Sequence, residues 1–195
     1  MCAGSASRWG NYKNTLKQMV KVEGEPILQR TIRLLEERGE DYKITVPKLD
    51  CFGKLKNQIV GTSETEVDKF INGFNQDSDS FTFIYGDVFW THNAIDKVLN
   101  NKDEFVFFGR DNKSSWFGEI VAREIFAVKI TREQFDRIEQ YKKEFLDKKI
   151  DDCGTWGLYE YLGKPEFVNI DDLTQDFDTP EIYEHFLQVY NRYRI

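Results

Sequence analysis

Short β-prone runs alternate with amphipathic helical stripes along the whole chain, and this alternation most limits what it can fold into. Residues 26–38 place Ile27, Leu28, Thr31, Ile32 and Leu35 on one helical stripe. Pro26 suits the first turn of that helix and Gly39 its C-terminal cap. Residues 42–46 are a short β-rich run stopped by Pro47. Ser63-Glu64-Thr65-Glu66 has capping-box spacing and opens a helix with Val67, Phe70, Ile71 and Phe74 inward. Residues 81–85 are almost continuously apolar, which predicts a strand covered on both faces. Thr91 can cap a helix carrying Ala94, Ile95, Val98 and Leu99. Residues 104–108 and 119–130 are β-prone, and residues 131–149 form a helix with Phe135, Ile138, Tyr141 and Phe145 inward. A helix over 152–162, a strand over 167–170 and a final helix over 180–193 complete the order. Alternation with short connections predicts a three-layer α/β/α domain around a mostly parallel central sheet. No repeat or linker divides the chain, so residues 1–195 read as a single domain.

Composition excludes several classes of function. With 40% hydrophobic and 15% aromatic residues, the chain is too apolar to stay disordered. No apolar run approaches the roughly 18 residues of a membrane span. The first residues lack a basic stretch leading into an apolar one, so a cytoplasmic protein without a signal peptide is expected. Three widely spaced cysteines and two histidines, His92 and His185, give no zinc pattern and little support for histidine catalysis. A net charge of −7 argues against general nucleic-acid binding. The charge is uneven, however. Residues 1–38 hold seven Lys/Arg against four Glu, while residues 151–195 hold three Lys/Arg against ten Asp/Glu. Cations that hold phosphates opposite carboxylates that hold a divalent metal would give this layout, and so would solvated faces of unlike sign.

Four segments could carry chemistry. Ala3-Gly4-Ser5-Ala6-Ser7-Arg8 is built of small residues, which let successive backbone N–H groups approach an anion, and Arg8 adds a forked cation. A flexible tail would have the same composition. Lys17 and Lys21 follow as point charges. Asp87, in Tyr85-Gly86-Asp87-Val88, follows an apolar strand at the position where open α/β sheets bind ligands, and suits a hard cation; Gly-Asp is also a common turn. Asp176-Phe177-Asp178-Thr179-Pro180-Glu181 alternates two carboxylates onto one side, in a stretch that is equally a good helix start. Asp77-Ser78-Asp79 mimics a metal-binding DxD but precedes its strand, and reads as a solvated turn. Trp116-Phe117-Gly118-Glu119 reads as part of an acceptor pocket, with Trp116 stacking and Glu119 accepting from hydroxyls, or as a core aromatic pair.

Taken in order, these pieces resemble the nucleotidyltransferases that include sugar-nucleotide pyrophosphorylases and molybdopterin-cofactor guanylyltransferase-like enzymes. Residues 3–8 are similar to that family's A-G-x-G-[S/T]-R loop. Leu16-Lys17-Gln18-Met19, followed by Val22-Glu23-Gly24-Glu25-Pro26-Ile27-Leu28, resembles its lysine motif and the segment after it. Asp87 stands where the family has its metal aspartate, and residues 176–181 are similar to a late D-x-D-T-P-E element. Ala6 replaces a glycine and Leu16 a proline, and only Met1 and Cys2 precede Ala3. The resemblance implies a Rossmann-like fold of the nucleotide-diphospho-sugar transferase type, with its first strand truncated or absent. It implies transfer of an NMP group from an NTP to a phosphorylated small molecule, a sugar phosphate foremost, with release of pyrophosphate. Ala3, Gly4, Ser5, Ala6, Ser7, Arg8 and Lys17 would then hold the triphosphate, with Arg8 and Lys17 catalytic. Asp87, with Asp178 or else Asp176, would hold Mg2+, and Trp116, Glu119 and Asp176 would line the acceptor site. Neither nucleic acid nor membrane is expected as a partner. A glycosyltransferase of related architecture is one alternative, and a catalytically weak nucleotide-binding regulator is another.

Overall fold

A computed structural model of the chain describes residues 7–61, 65–73, 79–112, 114–118, 123–151 and 153–193. After single 3-10 turns at Ser7–Trp9, Tyr12–Asn14 and Lys17–Met19, a hairpin forms from β1 (Lys21–Val22) and β2 (Glu25–Pro26). Its two turn residues, Glu23 and Gly24, have φ of 53° and 84°, the left-handed pair that matches the twist of a two-residue hairpin. Helix α1 (Ile27–Glu36) starts at once, buries Ile27, Leu28, Leu34 and Leu35, and stops before Gly39 at φ 71°. Strands β3 (Ile44–Val46) and β4 (Gln58–Val60) pair in parallel.

Helix α2 (Asp68–Gly73) begins later than the Ser63 signal predicts, and Ser63, Glu64 and Phe74 lie outside the described residues. Its start is held by the Asp68 carboxylate, which accepts from Thr65 N at 2.6 Å and from Lys142 Nζ at 2.6 Å. Then follow β5 (Ser80–Ile84), β6 (Val88–Phe89), α3 (His92–Asn100), β7 (Val106–Arg110) and β8 (Glu124–Thr131). Thr91 caps α3 as expected, accepting from Ala94 N at 3.0 Å. Helix α4 (Arg132–Leu146) is entered through a reciprocal Thr131–Gln134 capping box. The chain closes with α5 (Thr155–Tyr161), β9 (Glu166–Asn169), β10 (Gln175–Asp176) and α6 (Pro180–Tyr193).

The main sheet has the order β5-β8-β7-β9. β8 runs antiparallel to both neighbours while β7 and β9 are parallel, so β5, β7 and β9 share one direction around a single reversed strand. The sheet is mostly parallel in direction, as expected, but two of its three ladders are antiparallel. The signature of burial on both faces belongs to β7, buried at all five positions, and to the middle of β8. In β5, where the sequence predicts that signature, only Phe83 is buried, because β5 lies at the sheet edge. The β3–β4 ladder is separate from the main sheet. A cavity of about 410 Å³ lies between them, lined by Leu28, Leu35, Ile44, Phe81 and Phe83. The expected truncation of a first strand falls on Met1 to Ala6, outside the described residues.

One core joins the sheet to Val67 just before α2 and Phe70 within it, Ala94, Ile95 and Val98 of α3, Ile138 and Tyr141 of α4 and Leu158 of α5. Each such large side chain contributes about 1.5–3 kcal/mol on leaving water. A second core is rich in aromatics, with Val20, Val22 and Ile27 filling in beside them. It packs Tyr183, Phe186 and Val189 of α6 against Trp9, Phe89, Phe117 and Phe177. This second core fastens the opening turns, β6 and the segment before α6 to one another, and so places the site.

Candidate active site

The opening segment is pinned by its own aromatics. Trp9 is buried and donates from Nε1 to Thr15 O at 2.9 Å. Tyr12 OH and Lys13 Nζ each donate to Glu184 Oε1 at 2.7 Å, which ties the segment to α6. Gly10, Asn11, Lys13 and Asn14 all have positive φ, and the resulting tight path brings Lys17 inward.

A two-residue ladder does the rest. β6 pairs antiparallel with β10, Val88 opposite Asp176, and Phe177 N donates to Asp87 O at 3.1 Å. Asp87, at the turn after β5, is therefore brought beside Asp178, although 91 positions separate them in the sequence. Lys17 Nζ sits between them, 2.5 Å from Asp87 Oδ2 and 2.9 Å from Asp178 Oδ1. Arg8 Nη2 reaches Asp178 Oδ2 at 2.6 Å from an otherwise exposed side chain. All four residues that the sequence separates thus meet at one point.

Two further carboxylates join them. Oxygens of Glu124, Asp176 and Asp178 lie within 4.8 Å of one another. Glu124 opens β8, and Asp176 is 7% exposed. Asp87 contacts this trio through the Lys17 ammonium that it shares with Asp178.

The electrostatics divide the acids into two kinds. Burial raises the Asp87 carboxyl, but the charge and hydrogen bond of Lys17 outweigh it and hold the group below the usual carboxylate range. Burial likewise opposes the Lys17 ammonium, yet Asp87 and Asp178 together keep its pKa above the ordinary lysine value. Asp176 and Glu124 move the other way. Burial pushes both up, and the negative charge of Asp178 adds to it. Glu124, Asp176 and Asp178 form a crowded carboxylate site that a hard divalent cation would relieve, and an all-oxygen donor set fits such an ion.

Other expected residues lie elsewhere. Trp116 donates from Nε1 to Asp171 O at 3.2 Å and meets Tyr193 edge-to-face at 5.4 Å, so its contacts are not to the acids. Phe117 is a core residue stacked on Phe186. Ala3, Gly4, Ser5, Ala6 and Glu119 lie outside the described residues, as do Asp77 and Ser78. Glu124 and the buried Arg110 went unread in the sequence. The one signal for Arg110 is a cation ending an apolar run, Val106-Phe107-Phe108-Gly109-Arg110; Glu124 has none beyond a carboxylate in a β-prone stretch.

The sequence matches no protein-family model and no curated protein. Solved structures do match. A putative glucose-1-phosphate thymidylyltransferase from Bacillus anthracis is 13% identical with a TM-score of 0.62, over 100% of this chain and 95% of that one. The 4-diphosphocytidyl-2C-methyl-D-erythritol synthase of Anaerococcus prevotii is 13% identical with a TM-score of 0.59, over 90% and 92%. The CTP:phosphocholine cytidylyltransferase of Streptococcus pneumoniae is 14% identical with a TM-score of 0.56, over 96% and 95%. At this identity the likeness establishes the fold: a mixed α/β fold shared with solved nucleotidyltransferases. Among the described residues no helix is long and apolar enough to cross a membrane.

Proposed function

We propose that this chain, on a three-layer α/β/α scaffold, is a nucleotidyltransferase. It moves an NMP group from an NTP to a phosphorylated small molecule, a sugar phosphate foremost, and releases pyrophosphate. The observation that carries this reading is the meeting of Arg8 and Lys17 with Asp87 and Asp178 within 3 Å contacts. Binding a triphosphate needs cations, and binding its metal needs carboxylates, in the same place.

In the proposed reaction an oxygen of the acceptor's phosphate attacks the α-phosphorus of the NTP in line. The new P–O bond forms as the bond to pyrophosphate breaks. Lys17 turns from the acids to the α-phosphate and holds charge building there. Arg8, with the backbone N–H groups of Ala3 to Ser7, holds the β- and γ-phosphates. The second core keeps the backbone of Lys17 and the acids in register, so the turn of the Lys17 side chain is the one adjustment the site must make. Mg2+ is the proposed cofactor, held by Asp178 with Asp87, Asp176 and Glu124 as the neighbouring donors; bound there, it would neutralise phosphate charge. The setting we propose is nucleotide-sugar biosynthesis in the cytoplasm.

A panel assay tests the proposal. Pyrophosphate release is measured with each NTP, Mg2+ and a set of sugar phosphates, for wild type and Asp87→Ala. Release with one NTP and acceptor that the substitution abolishes is the expected result. Transfer from UDP- or GDP-sugars alone would replace the reading with a glycosyltransferase, and NTP binding without turnover would replace it with a regulator.

A further inference from the structure

Arg110 ends β7 with 1% of its surface exposed. A buried guanidinium is costly unless paired, and the usual partner is a carboxylate. Among the described residues, every hydrogen bond of Arg110 goes to a neutral oxygen of one segment. Nη1 donates to Gln175 Oε1 at 2.9 Å, and Nη2 to Thr174 O at 2.8 Å and Asp172 O at 3.3 Å. Its Nε has no partner among the described residues. The cation therefore clamps the strand that delivers Asp176, at the expense of one unsatisfied donor.

The clamp has a directional consequence. The Gln175 side chain is fully buried and presents both ends of its amide to partners. Oε1 takes the Arg110 N–H, so Nε2 must face the other way, where it donates to Asp176 Oδ1 at 2.7 Å and to Asp176 O at 3.0 Å. A flipped amide would set two donors against each other at Arg110 and two acceptors against each other at Asp176. Arg110 thus decides which way Gln175 points, and Gln175 decides where one oxygen of Asp176 is held.

We propose that Arg110 is a positioning residue for the acidic centre, acting through the Gln175 amide to fix the Asp176 carboxylate for a divalent cation. This rests on the reading of Glu124, Asp176 and Asp178 as a cation site. A residue that merely cements the fold would lower stability without changing how the folded protein binds an ion. A positioning residue changes the binding itself, and partners one step behind metal ligands typically change affinity by roughly 10- to 100-fold.

The test is direct Mn2+ titration of the purified full chain, followed by electron paramagnetic resonance, for wild type, Arg110→Lys, Gln175→Met and the double variant. Arg110→Lys keeps the charge but loses the fork. Gln175→Met keeps the volume and leaves Arg110 its Thr174 and Asp172 carbonyls, so that this variant folds even if the other does not. The expected result is a Kd for Mn2+ raised about 10-fold or more in each single variant, with the double variant no worse than either, because both break one relay. Near-UV circular dichroism checks that each is folded. Wild-type affinity, within twofold, in the folded variants would overturn the proposal, as would fully additive effects. Failure of wild type itself to bind Mn2+ would instead overturn the cation-site reading beneath it.

Discussion

Replacing Lys17 by Met should slow the proposed nucleotidyl transfer and tighten the protein's grip on metal at once. Lys17 Nζ lies 2.5 Å from Asp87 and 2.9 Å from Asp178, so the two carboxylate oxygens are within about 5.4 Å of each other. Two like charges at that separation, at an effective dielectric constant near 20, repel by about 3 kcal/mol. All three side chains are under one-fifth exposed, so solvent screens this only in part. The ammonium offsets this repulsion in wild type, and without it the metal-free protein should lose about 3 kcal/mol at neutral pH. For a chain of this size, that lowers Tm by about 6–12 °C. The loss should shrink as pH falls, because the Asp87 carboxyl, no longer held low by Lys17, can then take up a proton.

Metal reverses the sign. In wild type an incoming cation must compete with an ammonium already seated between two of its donors, and in Lys17→Met it need not. Mn2+ should therefore bind the variant more tightly and recover most of the lost Tm. Pyrophosphate release should nonetheless fall by about 10²–10³-fold, the usual effect of removing one group that stabilises transition-state charge. Differential scanning fluorimetry with and without Mn2+, alongside the pyrophosphate assay, reads all three quantities. A variant with both weaker metal binding and lower activity would mean that Lys17 only supports the fold. A variant with activity within tenfold of wild type would remove Lys17 from the chemistry.

Three other outcomes follow from the geometry. Gly109→Ala should destabilise by about 3 kcal/mol or more, seen as a lower urea midpoint, because a Cβ there would sit 2.1 Å from Glu124 O and 2.9 Å from Ile125 Cα. Asp176 is pushed up to about 7 by burial and by the charges of Asp178 and Asp87, so the folded state holds its proton more tightly than the unfolded chain does. The metal-free protein should thus lose up to about 1.4 kcal/mol per pH unit between about pH 4 and 7, and urea unfolding at pH 5 and pH 8 should show a smaller difference in Asp176→Asn. Thr91→Ala removes both the cap of α3 and a 2.6 Å hydrogen bond to Asp172, and should cost about 1–2 kcal/mol by the same unfolding measurement.

Much of the scaffold was legible because its signals are local. α1, α3 and α6 are marked by apolar stripes with a cap or a proline at the start, and α6 spans the residues its pattern predicts. The aromatic run of residues 81–85 misled for a physical reason: apolar composition reports that a strand packs, not whether it lies inside a sheet or at its edge. β5 is an edge strand, with Phe81 and Ile84 only half-buried. The short ladder of β6 and β10 leaves almost no trace in sequence, since two residues cannot display a period.

That ladder explains why the site was legible as a set of residues but not as a shape. Each residue of the set has a local sequence cue: Arg8 closes a run of small residues, Lys17 belongs to a recognisable short motif, Asp87 follows the apolar strand β5, and Asp178 precedes α6. Glu124 and Gln175 open their strands, and their importance comes from register: Arg110 lies opposite Glu124 in one ladder, and Asp176 opposite Val88 in another. Moving either register by one residue would turn Glu124 or Asp176 to the other face of its strand and dissolve the trio. The steric limit at Gly109 guards the first register, since no side chain fits against Glu124 O there. The buried clamp of Arg110 on residues 172–175 guards the second. The centre is therefore specified twice, once by the acids themselves and once by the uncharged contacts that keep two strands from slipping, and only the first specification is written as a motif.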